Sequence, residues 1–430
     1  MEIKPIDGQL LLKNGVLLDP FLDQETATDI LIDHHRIRQI DKQITPASEA
    51  TVIDIKGLKI APGFVDLHTH LREPGYEERE TLETGSRAAL AGGFTQLCCM
   101  PNTDPAIDNL ETIKYIYRRA ETLPVHIYPI AAITKNRQGE ELTEMAELAE
   151  AGAVAFSDDG NSLQNPLLMR YALEYAKIAN RPIINHAEDI FLRNDGLMNE
   201  GPVSTRLGLS PNPVVAEELM VYRDIRLAQW LDARVHIPHV SSAGSVEMIR
   251  RAKSAGVRVT AEATPHHFSL TDEYLSGFDT NGKMAPPLRS ESDRLAVIAG
   301  LKDGTIDAIA TDHAPHPVET KETSFDMAAS GIIGLETAFC LAMTCLVHKN
   351  HLTLMDLVRL LTTQPAAAMG IPLPELKPGE PANLTVFDPD EWWVFSRKDI
   401  YSKSQNTPFI GWEFTGRIKA VISRGQFIAI

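Results

Sequence analysis

A rhythm in the middle of the chain constrains its fold more than any other feature. Short β-branched or apolar runs alternate with longer stretches of helical period: PGFVDLH (62–68), FTQLCCM (94–100), VHIYPIAAI (125–133), AVAFSD (153–158), RPIINH (181–186), RVHIPHV (234–240), VRVTAEAT (257–264) and IDAIATD (306–312). Helical segments fall between them at 79–91, 108–122, 141–151, 166–179, 213–231, 243–255 and 291–302, with 334–347 and 353–363 after the last strand. Several of these segments close on a glycine, as at 91–93, 151–152 and 255–256, where a helix stops most easily. Strands alternating with helices imply right-handed crossovers and a parallel sheet. Eight such units in about 300 residues predict an α/β chain folded as a (β/α)8 TIM-type barrel rather than an open doubly wound sheet. No glycine-rich phosphate loop follows the first strand, which argues against a dinucleotide site.

The ends read differently. QLLLKNGVLL, ATDILIDHHRIRQI and ATVIDIKG near the N-terminus, and PANLTVFDP and TGRIKAVISRGQFIAI near the C-terminus, are strand-like pieces with little helical period. A small β-sandwich-like domain built from residues 1–61 and 371–430, flanking a barrel over 62–370, is the expectation.

Charge and composition exclude several functions. The net charge is −17 and no stretch concentrates Lys or Arg, so nucleic acid and acidic membrane surfaces are poor partners. The segment MEIKPIDGQLLLKNG lacks the basic and apolar regions of a signal peptide, and no run of 18 apolar residues occurs, so a cytoplasmic location is expected. Four cysteines make no disulfide framework. Cys98 and Cys99 are neighbours in a strand and point to opposite faces, which suits buried structural thiols better than a metal site.

In a parallel barrel, functional side chains gather where strands end. His68, His186, His239 and Asp312 lie at or beside such ends, and Asp159 directly follows another. His68 and His70 are two apart, so in a strand they share a face and can chelate one cation. Asp158 and Asp159 precede a glycine, which is turn chemistry, but a carboxylate there could also bridge two cations. His236 and His239 are three apart and face opposite ways; His239, nearer the strand end, is the better ligand, and His236 reads as structural. His266 and His267 remain unassigned. Asp312 could both coordinate a metal and exchange a proton with metal-bound water, whereas His316, one loop further, suits a substrate contact. Imidazoles and carboxylates without thiolates suit two zinc-type ions with positions left open for water. Arg72 would hold a carboxylate or phosphate of the substrate, unless it is a surface residue paired with Glu73.

These segments resemble the cyclic amidohydrolase superfamily, and more closely the bacterial type of dihydroorotase family with an aspartate metal bridge. The likeness runs through APGFVDLHTHLREPG (61–75), CMPNTDP, AFSDDG, INHAED, HIPHVSS, KMAPPLR, ATDHAPH and SGIIGLET, and into QPAAAMG, PANLTVFDP and SKSQNTPFIGWEFTGRI. The resemblance implies His68, His70 and Asp312 on a first Zn2+, His186 and His239 on a second, and Asp159 (or, second choice, Asp158) between them. GAVAFSDDG contains no lysine, so the carboxylated-lysine bridge of many relatives is not expected.

Arg72, Asn102 and His316 match the family positions that grip a substrate carboxylate. The implied reaction is the reversible conversion of L-dihydroorotate and N-carbamoyl-L-aspartate in pyrimidine synthesis, by a zinc-bound hydroxide with Asp312 as proton shuttle. Other cyclic amidases, the allantoinases and hydantoinases, generally carry another residue in place of Arg72. An inactive scaffold partner of aspartate transcarbamoylase would have lost metal ligands, and here the set is intact. A homo-oligomer, a dimer at its simplest, is expected, with a transcarbamoylase partner as a family option. Two positions depart from the family: Ala285 stands where asparagine is frequent, removing one expected hydrogen bond to the substrate ring. Ala328-Ala329-Ser330 lacks the usual proline.

Overall fold

The computed structural model describes all 430 residues. Eight parallel strands form the barrel: β1 (Phe64–Thr69), β2 (Phe94–Cys99), β3 (His126–Pro129), β4 (Phe156–Ser157), β5 (Ile183–Ile184), β6 (Val235–Ile237), β7 (Val259–Ala263) and β8 (Ala308–Ile309). Strands β1–β3 pair in sequence order, as do β4–β8. Single parallel bridges, Ala131 with Phe156 and Thr69 with His313, close the ring between β3 and β4 and between β8 and β1.

Alternation in the strands sorts side chains between two cores. Val65, Leu67, Cys98, Met100, Ile130 and Ile184 fill the barrel interior, while Phe64, Leu97, Cys99 and Ile127 face the helices. Cys98 and Cys99 thus lie on opposite faces, both buried and unpaired. The helices begin on capping residues their sequences supply: Thr81, Asn109, Asn165, Ser242, Ser290 and Thr353 each accept a hydrogen bond from a first-turn amide.

The two chain ends meet in one nine-stranded sheet. The N-terminal hairpin Gln9–Asp19 and Gln24–Asp33 is joined, through Lys59–Pro62, to the long C-terminal pair Leu384–Val394 and Glu413–Ser423. Leu10, Leu12, Ile30, Ile32, Ile60 and Ile422 belong to a separate small core within this sheet. The C-terminal pair also packs on the outer helix Ala338–Ala342: Phe387 lies 4.8 Å from Phe339, and Phe339 5.6 Å from Phe64, between ring centroids. No helix is long and apolar enough to cross a membrane.

Candidate active site and metal centre

The carboxyl ends of the strands converge on a cavity of about 730 Å³ lined by His70, Arg72, Asn102, Asp159, His186, His239, Asp312 and His316. Of the candidate residues, these eight face one space and His68 lies fully buried beneath it, whereas Asp158 and His236 do not line it. Three non-glycine residues there have left-handed backbones: Arg72 (φ 62°), His239 (φ 34°) and Asp312 (φ 47°). Side chains other than glycine avoid this region, so packing holds the chain in these bends, and the bends turn each side chain off its strand into the cavity.

Asp159 occupies the middle. Its carboxylate lies 3.5 Å from His68 Nε2 and from His70 Nε2 on one side, and 3.6 Å from His186 Nδ1 and from His239 Nε2 on the other. Asp312 Oδ1 is 2.9 Å from His70 Nε2 and 3.5 Å from His68 Nε2. Asp158 points elsewhere: it accepts from the amides of Ile133 (2.9 Å) and Thr134 (3.0 Å) and from the Thr134 hydroxyl (2.5 Å). Its neighbour, not Asp158, shares space with the imidazoles.

The donor set fits a metal. Two buried groups, His68/His70/Asp159 and Asp159/His186/His239, each bring three ligand atoms within 4.8 Å of one another. His68 Nε2 and Asp159 Oδ1 are buried and have no hydrogen-bond partner in the chain, an arrangement that costs free energy unless something else satisfies them. The chain thus provides a divalent-metal site of imidazole and carboxylate ligands.

Behind the imidazoles stand groups that orient them. Glu262 accepts from His68 Nδ1 (2.7 Å) with one oxygen and from His236 Nε2 (3.0 Å) with the other. Burial raises its carboxyl, but the bonds to His236 and His68 outweigh that and hold it at about 2. His236, as expected, turns from the cavity, and its Nδ1 meets the Thr260 hydroxyl at 2.8 Å. Asn102 Oδ1 lies 2.9 Å from His70 Nδ1, so the residue expected to touch substrate also orients that imidazole. Asp66 accepts from the amides of His68 and Thr311 and ties β1 to the end of β8. Glu188 faces His186 Nε2 at 3.7 Å and accepts from Asn212.

The sequence pointed to none of Glu262, Glu188 and Asn406. Glu262 had a legible signal, a lone carboxylate in the apolar run VRVTAEAT, since a charge buried in a strand must be paired. Of the unassigned pair, His267 bonds the Thr264 hydroxyl and the Pro286 carbonyl, while His266 Nε2 is buried and unpartnered.

Arg72 is not paired with Glu73. Glu73 turns away to the Leu82 amide, the Tyr115 hydroxyl and Arg119. Arg72 is only 7% exposed, its Nε has no partner, and no carboxylate of the chain lies within ion-pair distance. Burial, with the nearby Arg79 charge, lowers its pKa to about 10, so it stays cationic at neutral pH. His316 also borders the cavity, held neutral at about 3 by burial and by the Arg72 charge. The loop after β8 forms one wall. Asn406, from the C-terminal segment, accepts from the His316 amide and donates to the Ala314 and Gly331 carbonyls. Lys321 donates to Ala329 and Gly331. Ser330 in this loop and Ala285 in the segment after β7, both at positions departing from the family, line the same cavity.

A closed parallel barrel with clustered imidazoles and carboxylates at its carboxyl face, joined to a sheet from both termini, defines a cyclic amidohydrolase. The solved L-hydantoinase (dihydropyrimidinase) from Arthrobacter aurescens has the same fold, at a TM-score of 0.87 and 26% identity over 98% of this chain and 96% of that one. A solved D-hydantoinase aligns at a TM-score of 0.84 and 23% identity over 98% and 95%. Curated relatives are nearer in sequence. The dihydroorotase of Syntrophus aciditrophicus (strain SB) is 50% identical over 98% of this chain and 99% of its own, and that of Pelotomaculum thermopropionicum 49% over 98% of each. The family described as Dihydro-orotase-like matches residues 57–245. The chain belongs to the dihydroorotase family.

Proposed function

We propose that the chain interconverts L-dihydroorotate and N-carbamoyl-L-aspartate. The observation that carries this reading is Arg72: a buried, unpaired guanidinium on the cavity wall beside the metal-competent cluster. A cyclic amide without a carboxylate would leave that charge without a partner, whereas dihydroorotate brings one. Asn102 and His316 complete the grip on the substrate.

His68, His70 and Asp312 would hold one zinc ion and His186 and His239 a second, with Asp159 between them. Bound there, the ions would acidify a water and polarise the amide carbonyl. The residues do the rest. In ring opening, Asp312 accepts the proton of the attacking water and passes it to the departing ring nitrogen; in closure it takes a proton from the carbamoyl nitrogen. Burial pushes the Asp312 carboxyl up, but the His68 charge and the His70 hydrogen bond outweigh it and keep the carboxylate ionised, ready to accept. Glu262 and Asn102 fix the rings of His68 and His70, and Arg72 places the substrate.

The barrel is taken to span 62–370 and the terminal β-domain 1–61 with 371–430, a division supported by the shared sheet and its own small core. Four unpaired cysteines, three of them buried, favour a reducing compartment such as the cytoplasm. Self-association and a transcarbamoylase partner rest on the family resemblance.

The test is to assay dihydroorotate hydrolysis at alkaline pH and carbamoyl-aspartate cyclisation at mildly acidic pH, with and without chelator. Turnover in both directions that chelator abolishes is expected. No turnover by the metal-loaded protein, or full turnover of a hydantoin instead, would overturn the reading.

A further inference from the structure

The two halves of the metal-competent cluster are braced differently. His68 lies within strand β1 and Glu262 fixes its Nδ1, whereas His186 and His239 each stand two residues beyond the last ladder residue of β5 and β6. His239 Nδ1 is buried without a partner, so no hydrogen bond from that edge of the ring orients it. Its place is set by the backbone, which bends to φ 34° at His239 and is clasped just beyond the bend. There the Glu217 carboxylate accepts from the amides of Ser241 and Ser242, both at 3.2 Å, and from the Ser241 hydroxyl.

Arg289, 3% exposed in the segment after β7, ties this clasp to the chain that carries His186. Its Nε donates to Ser241 Oγ at 3.0 Å and its Nη2 to Glu217 at 3.4 Å. Its Nη1 donates to Asn199 Oδ1 at 3.1 Å and to the Asn212 carbonyl at 3.3 Å. Asn199 and Asn212 are register partners in a short parallel ladder, within the excursion that follows His186. The Asn212 side chain donates to Glu188 at 2.8 Å, and Glu188 faces His186 Nε2 at 3.7 Å. One guanidinium therefore reaches both imidazoles, and it bonds neither Glu262 nor Asn102, the groups behind His68 and His70. A planar fork can serve acceptors on several segments at once, which the point charge of a lysine cannot. Burial pushes the Glu217 carboxyl up, but the Arg289 charge and the Ser241 bonds outweigh it and keep the pair ionic. A buried ion pair is a weak source of stability, so its use lies in what it holds in place.

We propose that Arg289 is a positioning residue for the His186/His239 half of the site. It does not line the cavity and touches neither substrate nor metal; it sets the spacing of those two imidazoles and so the affinity of the ion they would share. The inference rests on the two-ion reading above.

Chelator competition on the zinc-loaded full chain tests it, with elemental analysis counting the ions retained. The wild type is expected to release two ions. Arg289→Met is expected to bind one of them about 10–100-fold more weakly and to hold the other as the wild type does. Glu262→Gln, acting on His68, should weaken the other ion, so that the double variant loses grip on both. Arg289→Lys keeps a charge beside Glu217 without the fork and should fall between wild type and Arg289→Met. Asn212→Ala cuts only the route to Glu188; it should weaken the same ion less, and it carries the test should Arg289→Met misfold. Wild-type affinity for both ions in all three of these variants, or an equal loss of both, would sink the inference alone. A wild type holding fewer than two ions would sink the two-ion reading and this inference with it.

Discussion

Burying a guanidinium with no acceptor costs several kcal/mol, a cost that the Asp312 and Asp159 charges offset at Arg72 only in part, since its pKa is still lowered to about 10. An anionic ligand offsets it, so the effect of removing the charge should appear in binding and not in folding. Arg72→Met is expected to lower kcat/KM for dihydroorotate about 10²–10³-fold while metal content stays at the wild-type level, as steady-state kinetics with elemental analysis would show. Glu262 acts one layer further back. Glu262→Gln keeps the shape but removes the charge that orients His68, so metal affinity measured by chelator competition should fall about 10–100-fold. The sequence already offered the strand-end histidines and the arginine, because alternation and strand ends place them whatever the packing. It could not distinguish Asp158 from Asp159. That choice depends on which carboxylate the loop after β3 claims, and Ile133 and Thr134 claim Asp158.

At the scale of elements, the eight apolar runs became the eight strands, yet the hydrogen-bonded ladders are shorter than the runs. VHIYPIAAI spans 125–133, while β3 covers only His126–Pro129. Beyond it Ile130, Ala131 and Ile133 still donate, but singly, to Cys99, Ala155 and the Asp158 side chain. Strand ends that diverge around a site exchange ladder bonds for individual ones. The wall after β8 is held in a similar way by residues far off in sequence. Asn406→Ala removes three of its bonds and is expected to raise KM about tenfold with metal content unchanged, by kinetics at saturating metal.

Lys321 in the same wall is buried, and burial together with the Lys283 charge lowers its amine from 10.5 to about 7. Between pH 7 and 10.5 the unfolded chain therefore binds more protons at this site than the folded one, so its contribution to stability rises with pH across that window. Denaturant unfolding across that range should show a smaller rise in Lys321→Met.

At the scale of the whole molecule, the chain ends are joined to the barrel by the Phe64, Phe339 and Phe387 rings, one each from a barrel strand, an outer helix and the terminal sheet. Phe387→Ala should cost about 3–5 kcal/mol in urea unfolding, since all three rings are almost fully buried. The sequence by itself determined the barrel, the pairing of β-rich ends and the residue types at the strand ends, because period and strand direction are local properties of the backbone. Only the tertiary structure decided that Arg72 lacks a partner, that Glu262 and Asn406 brace the cavity, and that the loop after β1 brings His70 and Arg72 to the wall of one cavity. Those depend on contacts between residues up to hundreds of positions apart, which no local pattern encodes.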